Sequence, residues 1–269
     1  EIYKINITDS VLKFNDLTLA PAFNAELSNV DISIYLSLPN SLKFKGSAQY
    51  PGNSRPNIYV NGEFKFDLNA LKANLMLKNI PLASFQGYYR SPGLLIKGGE
   101  ADLVISLGLK DNLLDMDCGI KANKINLQKE NITALFSSDA SINLRYSLLS
   151  TEMRYRGRSV FTDTVISGLE YVDKVSIKRC SVDFSDTEAT SNDISANIFD
   201  LPVSLKLKLI NFSDPKLELT LLSAFELSYA QKLAQEKFNF ILPGQASGPA
   251  SVSLSASSES LKNKQIKLD

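Results

Sequence analysis

The chain has no histidine and no tryptophan among its 269 residues. Losing His removes the commonest general base and the commonest zinc and transition-metal ligand. Cys118 and Cys180 are the only cysteines. Two are too few for a disulfide framework, so the expectation is two buried or half-buried thiols. Charge of one sign is missing as well, because 29 Lys and Arg are cancelled by 29 Asp and Glu. No net field draws nucleic acid or an anionic membrane. No run approaches the roughly 18 to 20 apolar residues of a membrane-spanning helix. Gly-x-Ser-x-Gly, His-Glu-x-x-His, P-loop and Cys-x-x-Cys patterns do not occur. A signal peptide is also missing, and the chain opens on Glu1 rather than Met. The expectation is a processed or excised piece, with any membrane anchor outside it.

What is present is period-two alternation. Ile32, Ile34, Leu36 and Leu38 alternate with polar or amphipathic neighbours. So do Leu103, Ile105, Leu107 and Leu109, then Ile142, Leu144, Tyr146 and Leu148. Leu201, Val203, Leu205, Leu207 and Leu209 make the clearest run. Such strands bury one face and wet the other. Turn signals separate them: Pro39-Asn40, Pro51-Gly52-Asn53, Asn61-Gly62, Pro92-Gly93, Gly98-Gly99, Asp214-Pro215 and Pro243-Gly244. Asn61-Gly62 reads as a two-residue hairpin loop. Short connections favour an antiparallel meander. Helix is expected over Tyr229 to Lys237, with Ser228 and Gln231 as a capping box, and as a short turn over Pro81 to Tyr88.

The chain also echoes itself. Lys4-Ile5-Asn6-Ile7 leading to Leu12-Lys13-Phe14-Asn15-Asp16 is answered by Lys174-Val175-Ser176-Ile177 leading to Val182-Asp183-Phe184-Ser185-Asp186. Further matches follow in order. Asp31-Ile32-Ser33 pairs with Asp193-Ile194-Ser195, and Leu38-Pro39 with Leu201-Pro202. Pro56 to Val60 pairs with Pro215 to Leu219, and Gly99 to Ile105 with Gly248 to Leu254. Repeats of this kind gain function by stacking. Residues 1–170 read as a first copy with additional strands, and 171–269 as a second, truncated copy. The expectation is a fragment of a longer array.

Little else offers chemistry. The acid pairs Asp115/Asp117, Asp183/Asp186 and Glu100/Asp102 could in principle serve a glycosidase, but residues at i and i+2 share one strand face, most simply the wet one. Asp111, Asp115 and Asp117 lack EF-hand spacing. Asp16 and Asp186 recur at matched positions and read as caps of the turns that follow them. Arg154, Arg156 and Arg158 share one strand face, read as solvated rather than phosphate-binding. No catalytic residue, metal site or cofactor is expected.

The strand pair ending in Phe-x-Asp, the long alternating strands, the helical segment and the Gly-led strand together resemble the AsmA-like proteins of the Gram-negative envelope. The Gly-led strands are Gly98-Gly99-Glu100-Ala101-Asp102-Leu103 and Ser247-Gly248-Pro249-Ala250-Ser251-Val252. Pro243 and Pro249 depart from that pattern. The family looks like bacterial relatives of bridge-like lipid transfer proteins. The resemblance implies a mainly β, elongated, curled (taco-like) sheet with one short helix per repeat. It implies an apolar concave face shielding acyl chains between inner and outer membrane. It also implies a periplasmic location, an inner-membrane anchor outside this chain, and phospholipid or another acyl lipid as partner, alongside envelope proteins.

Three readings follow. The first is a non-enzymatic lipid-conducting segment whose groove is lined by Phe14, Ile34, Phe44, Phe66 and Ile105, with Leu205 and Leu207 in the second copy. The second is a tethering β scaffold whose alternation fills an ordinary closed sandwich. The third, an enzyme on a β scaffold, would need a cleft of converging acids with shifted pKa values.

Overall fold

The computed structural model describes residues 2–19, 22–88, 93–170, 172–241, 243–258 and 267–268. Most of them are strand. The order is β1 (Ile2–Asp16), β2 (Phe23–Ser37), β3 (Ser41–Gln49), β4 (Ile58–Lys65) and β5 (Ala70–Pro81). A 3-10 helix, η1 (Leu82–Tyr88), follows, then β6 (Leu94–Lys110), β7 (Leu113–Lys129), β8 (Ile132–Ser147) and β9 (Met153–Ser167). The remainder is β10 (Lys174–Ser185), β11 (Glu188–Ile198), β12 (Leu201–Ile210), β13 (Lys216–Glu226), helix α1 (Leu227–Phe238), β14 (Pro249–Ser258) and the two-residue β15 (Lys267–Leu268).

All fifteen strands belong to one sheet, ordered as in the sequence, with β1 and β15 at its two ends. The meander is therefore as expected, and the sheet does not close on itself. The closed sandwich does not form, because there is no second sheet among the described residues to pack on the first. Alternation reports that one face is apolar; it does not report what lies over that face.

By compactness the chain divides into residues 1–130 with 137–157, and 131–136 with 158–269. This division cuts through β8 and β9, while the sequence echo divides at 170. In the first unit, two consecutive left-handed residues, Asp111 and Asn112 (φ 51° and 61°), make the tight turn between β6 and β7. Phe199 and Asp200 (φ 52° and 61°) do the same between β11 and β12 in the second.

Two expected turns lie inside strands instead. Asn61 and Gly62 are mid-β4, paired with Lys45 and Phe44 of β3. A side chain at 62 would meet the Phe44 ring, so Gly is there for space and not for a turn. Gly99 (φ 115°) is a bulge within β6. Conversely, Phe66 and Leu68 do not extend β4; they sit in the turn to β5. Of the expected turn at Pro92-Gly93, Pro92 lies outside the described residues.

Bulges line up across the first unit. Asp9, Asn29, Asn79 and Lys124 have φ near 50°, at or beside the register shifts of β1, β2 and β5 and in β7. Three of these bulges are capped from the next strand. Asp9 N–H donates to Asp31 Oδ1 (3.0 Å), Asn79 N–H to Asp102 Oδ1 (2.7 Å), and Lys124 N–H to Ser137 Oγ (3.1 Å). A line of bulges bends a sheet along one seam.

The sequence copies correspond only in part. Ile5 and Ile7 face Ile34 and Ile32, as Val175 and Ile177 face Ile198 and Ala196. That register makes Val30 the counterpart of Ile194, so the Asp31/Asp193 match is two residues out. Leu38-Pro39 lies in a turn, whereas Leu201-Pro202 opens β12. Five strands precede η1 in the first copy, and only four, β10 to β13, precede α1 in the second.

Candidate functional site

Cross-strand register builds the first unit's apolar face rung by rung. One rung runs from Ile5 through Ile34, Phe44, Gly62, Ala73 and Leu107 to Met116. The next runs from Ile7 through Ile32, Gly46, Val60, Leu75 and Ile105 to Cys118. Each crosses seven strands without a charged group. Aside from β1, whose Ile5 and Ile7 are exposed, these side chains are half-buried rather than buried. They shield one another, and no second layer among the described residues lies on them.

The opposite face is a polar ladder. Ser33 Oγ donates to Asn6 Oδ1 (3.0 Å), Asn74 Nδ2 to Asn61 Oδ1 (3.1 Å), and Ser106 Oγ to Asn74 Oδ1 (2.9 Å). Lys43 pairs with Glu63 at 3.6 Å. The sheet thus has one face built for water and one that is not.

Among the described residues, the buried apolar side chains of this unit gather at one end. Val30, Ala48, Tyr50, Ile80, Ala101 and Ala122 are buried there. They occupy the end where η1 connects β5 to β6. Phe85 of η1 stacks on Phe23 (centroids 5.1 Å apart) and on Tyr50 (6.2 Å). Tyr88 meets Phe23 edge-on, and its hydroxyl donates to Asp16 Oδ2 at 3.0 Å.

The anticipated lining residues fall in three places. Ile34, Phe44 and Ile105 lie on the central rungs. Phe14 is half-exposed in the aromatic cluster at the η1 end, 6.0 Å from Phe23. Phe66 is in a turn at the opposite end, its ring edge-on to Phe64, which is on the apolar face opposite Leu42 and Leu71. In the second unit Leu205 joins the rung Cys180, Ile194, Leu205, Leu221 and Leu254, and Leu207 faces Leu219.

The acids have local partners. Asp16 Oδ1 accepts from Thr18 N–H (2.9 Å) and Thr18 Oγ1 (2.6 Å), the expected turn cap. These bonds, and the one from Tyr88, hold its carboxyl below the usual aspartate pKa. Desolvation, then the Asp16 carboxylate, pushes the Tyr88 phenol up. In the matching turn the cap is Ser185, one residue before the expected Asp186; its Oγ accepts from Thr187 and Glu188 N–H. Asp115 is taken by Arg145 (2.7 Å), Asp117 by Asn143 and Asp102 by a bulge. Arg158 donates to Ser181 (2.8 Å) and approaches Asp183 (3.7 Å), while Arg154 pairs with Glu152. No group of three potential metal ligands occurs among the described residues. Cys118 and Cys180 are free thiols, and burial raises the Cys118 pKa.

One pair of matched glutamines makes contacts that no sequence pattern announced. Gln86 Nε2 donates to the Leu94 carbonyl (2.7 Å), and Ile96 N–H donates to Gln86 Oε1 (2.6 Å). Gln231 Nε2 donates to the Gly244 carbonyl (2.6 Å), and Ala246 N–H donates to Gln231 Oε1 (2.9 Å). In each unit one glutamine clips a helix to residues i and i+2 of the segment that leads to the Gly-led strand. Gln231 therefore does not close a capping box. Helix α1 begins after Glu226 without a side-chain cap. The strand glycines also agree, with Gly99 at φ 115° and Gly248 at φ 107°.

Compared with protein-family models, with curated proteins and with solved structures, the chain matches none.

Proposed function

We propose that the chain is a lipid-binding segment whose apolar sheet face shields acyl chains. The observation that carries this reading is the pair of seven-strand rungs, apolar throughout and covered by no second layer, backed by a hydrogen-bonded polar face. An apolar face of this extent needs a cover in water. Acyl chains fit it better than a rigid partner does, because the rungs mix Gly, Ala, Leu and Phe into an uneven floor that flexible methylenes can follow. Binding needs no nucleophile, metal or general base, and the acids are engaged in local bonds.

Within this reading the chain belongs with the AsmA-like envelope proteins and works in the periplasm. It carries phospholipid acyl chains between the inner and outer membrane, alongside envelope protein partners and a membrane anchor supplied elsewhere. Support for that placement is the Phe-x-Asp hairpin, the helical segment and the Gly-led strands.

The test is native mass spectrometry of the purified chain, with extraction and identification of co-purified lipid. The expected result is phospholipid or fatty acid at defined stoichiometry, lost when Phe44 and Leu107 are both changed to Asp. A folded, lipid-free chain that also ignores added 12-NBD-stearate would overturn the reading.

A further inference from the structure

The glutamine clips lead beyond a static trough. A 3-10 helix of seven residues has little intrinsic stability and is held by its side-chain contacts. No residue of η1 is itself buried. Among the described residues its side-chain attachments are the two Gln86 bonds to Leu94 and Ile96, the Tyr88–Asp16 bond, and ring contacts of Phe85 and Tyr88. A cavity of about 500 Å³ lies between η1 and the neighbouring strand ends, lined by Phe23, Ala25, Tyr50, Pro51, Ala83 and Gln86 among others. Yet in the first unit this is the end where apolar side chains are buried, Val30, Ala48, Tyr50 and Ile80 among them.

We infer that η1 is a releasable cover over one end of the apolar face, that Gln86 is the clip holding it shut, and that α1 with Gln231 is the corresponding device in the second unit. The inference rests on the acyl-binding reading and adds its control. An acyl chain lying along the strands, across successive rungs and toward Tyr50, displaces η1, and the exposed floor is covered by lipid instead of by Phe85. Elements built this way sit at the low end of a protein's local stability. The clips are positioning residues. They touch the backbone of the segment entering the Gly-led strand and leave the apolar face itself unchanged.

The experiment combines hydrogen exchange with probe binding on the whole chain. Replacing Gln86 with Ala removes two hydrogen bonds, and amide exchange across Leu82–Tyr88 is expected to speed up roughly tenfold. If the shut state limits access, affinity for 12-NBD-stearate rises by a similar factor, because apparent affinity scales with the open fraction. Oleate added to the unsubstituted chain speeds exchange over the same residues. Replacing Gln231 with Ala loosens Leu227–Phe238 and leaves 82–88 unchanged, which shows that the Gln86 effect is local and not general unfolding.

Faster exchange in the Gln86 variant with unchanged probe affinity would make the clip merely structural and overturn the cover. Oleate slowing exchange over 82–88 would overturn it too, by making η1 a fixed wall of the site. If neither chain binds the probe while the Gln86 variant still exchanges faster, the acyl-binding reading fails and takes the cover's role with it, though the clip stands.

Discussion

The Phe44 ring lies across Gly62, its cross-strand partner, filling the space where a side chain at 62 would stand. A Cβ at 62 would also come within 2.6 Å of the Lys72 carbonyl oxygen, which belongs to the backbone of β5 and cannot swing aside. Gly62→Ala is therefore expected to destabilise the first unit by about 1–3 kcal/mol through overpacking. Urea unfolding measures this as a lower midpoint at unchanged slope. Gly108→Ala has nothing within 4 Å of its added carbon and serves as the near-neutral control. Equal losses in both variants would mean that strand glycine entropy, and not the Phe44 ring, sets the cost.

The rungs make a second prediction. Phe44, Leu75 and Leu107 are half-buried and face no second layer. Truncating one costs less stability than truncating a residue of a closed core, for which a Leu→Ala change costs roughly 2–5 kcal/mol. Leu107→Ala is expected to cost about 1 kcal/mol, below that range. Ile80→Ala, at a residue only 4% exposed, falls inside it. Leu107→Asp should lose probe binding while retaining a cooperative melt. A melt destroyed by Leu107→Asp would point to a hidden layer over the face.

Much of this was legible in the sequence. Ile34, Leu107 and Leu205 announced themselves by alternation, and Asp16 by its place before a turn. What failed to show has physical causes. Asn61-Gly62 has the composition of a turn, but cross-strand pairing overrode it, and only the position of the Phe44 ring explains why Gly is there. Gly98-Gly99 also looked like a turn, whereas a bulge needs the same left-handed backbone. Phe66 kept the strand's parity one step too far, into a turn. Alternation along Leu103 to Leu109 is the same for a sandwich strand and a single sheet. Gln86 carried no signal, and Gln231 was read as half of a capping box, because a glutamine clip depends on two backbone groups several residues away and has no local pattern.

Cys118 offers a chemical test of the face. Its thiol lies on a rung beside Ile105, and burial raises its pKa above the ordinary cysteine value. Reaction with Ellman's reagent requires the thiolate, so labelling at pH 8 should be slower than for an unstructured cysteine and should reach its plateau rate at higher pH. The measurement belongs in a Cys180→Ser background, where the new hydroxyl keeps a partner in Ser191 (Sγ to Oγ 3.4 Å). Added oleate should slow labelling further if acyl chains lie on this rung. Labelling unaffected by oleate that demonstrably binds would move the lipid off the Cys118 rung.

Asp16 supplies the pH dependence. Its carboxyl pKa is held below the usual value first by the Thr18 hydroxyl and amide and then by Tyr88. A group depressed in the folded state contributes stability above its unfolded pKa of about 3.9 and loses it as pH falls through the folded value. The Tyr88 bond to Asp16, and with it one attachment of η1, is therefore intact at neutral pH and weakens only in acid below the ordinary aspartate range. Carbon-detected NMR titration of the Asp16 carboxyl gives its midpoint directly. Thr18→Ala, which removes the hydroxyl bond and keeps the amide one, should move that midpoint up by more than Tyr88→Phe does, because the Thr18 hydroxyl contributes the largest share. In Asp16→Asn the extra acid-induced loosening of Leu82–Tyr88, read by hydrogen exchange below pH 4, should vanish. If Tyr88→Phe shifts the carboxyl more than Thr18→Ala, then the latch to η1, and not the local turn, is what holds this aspartate ionised.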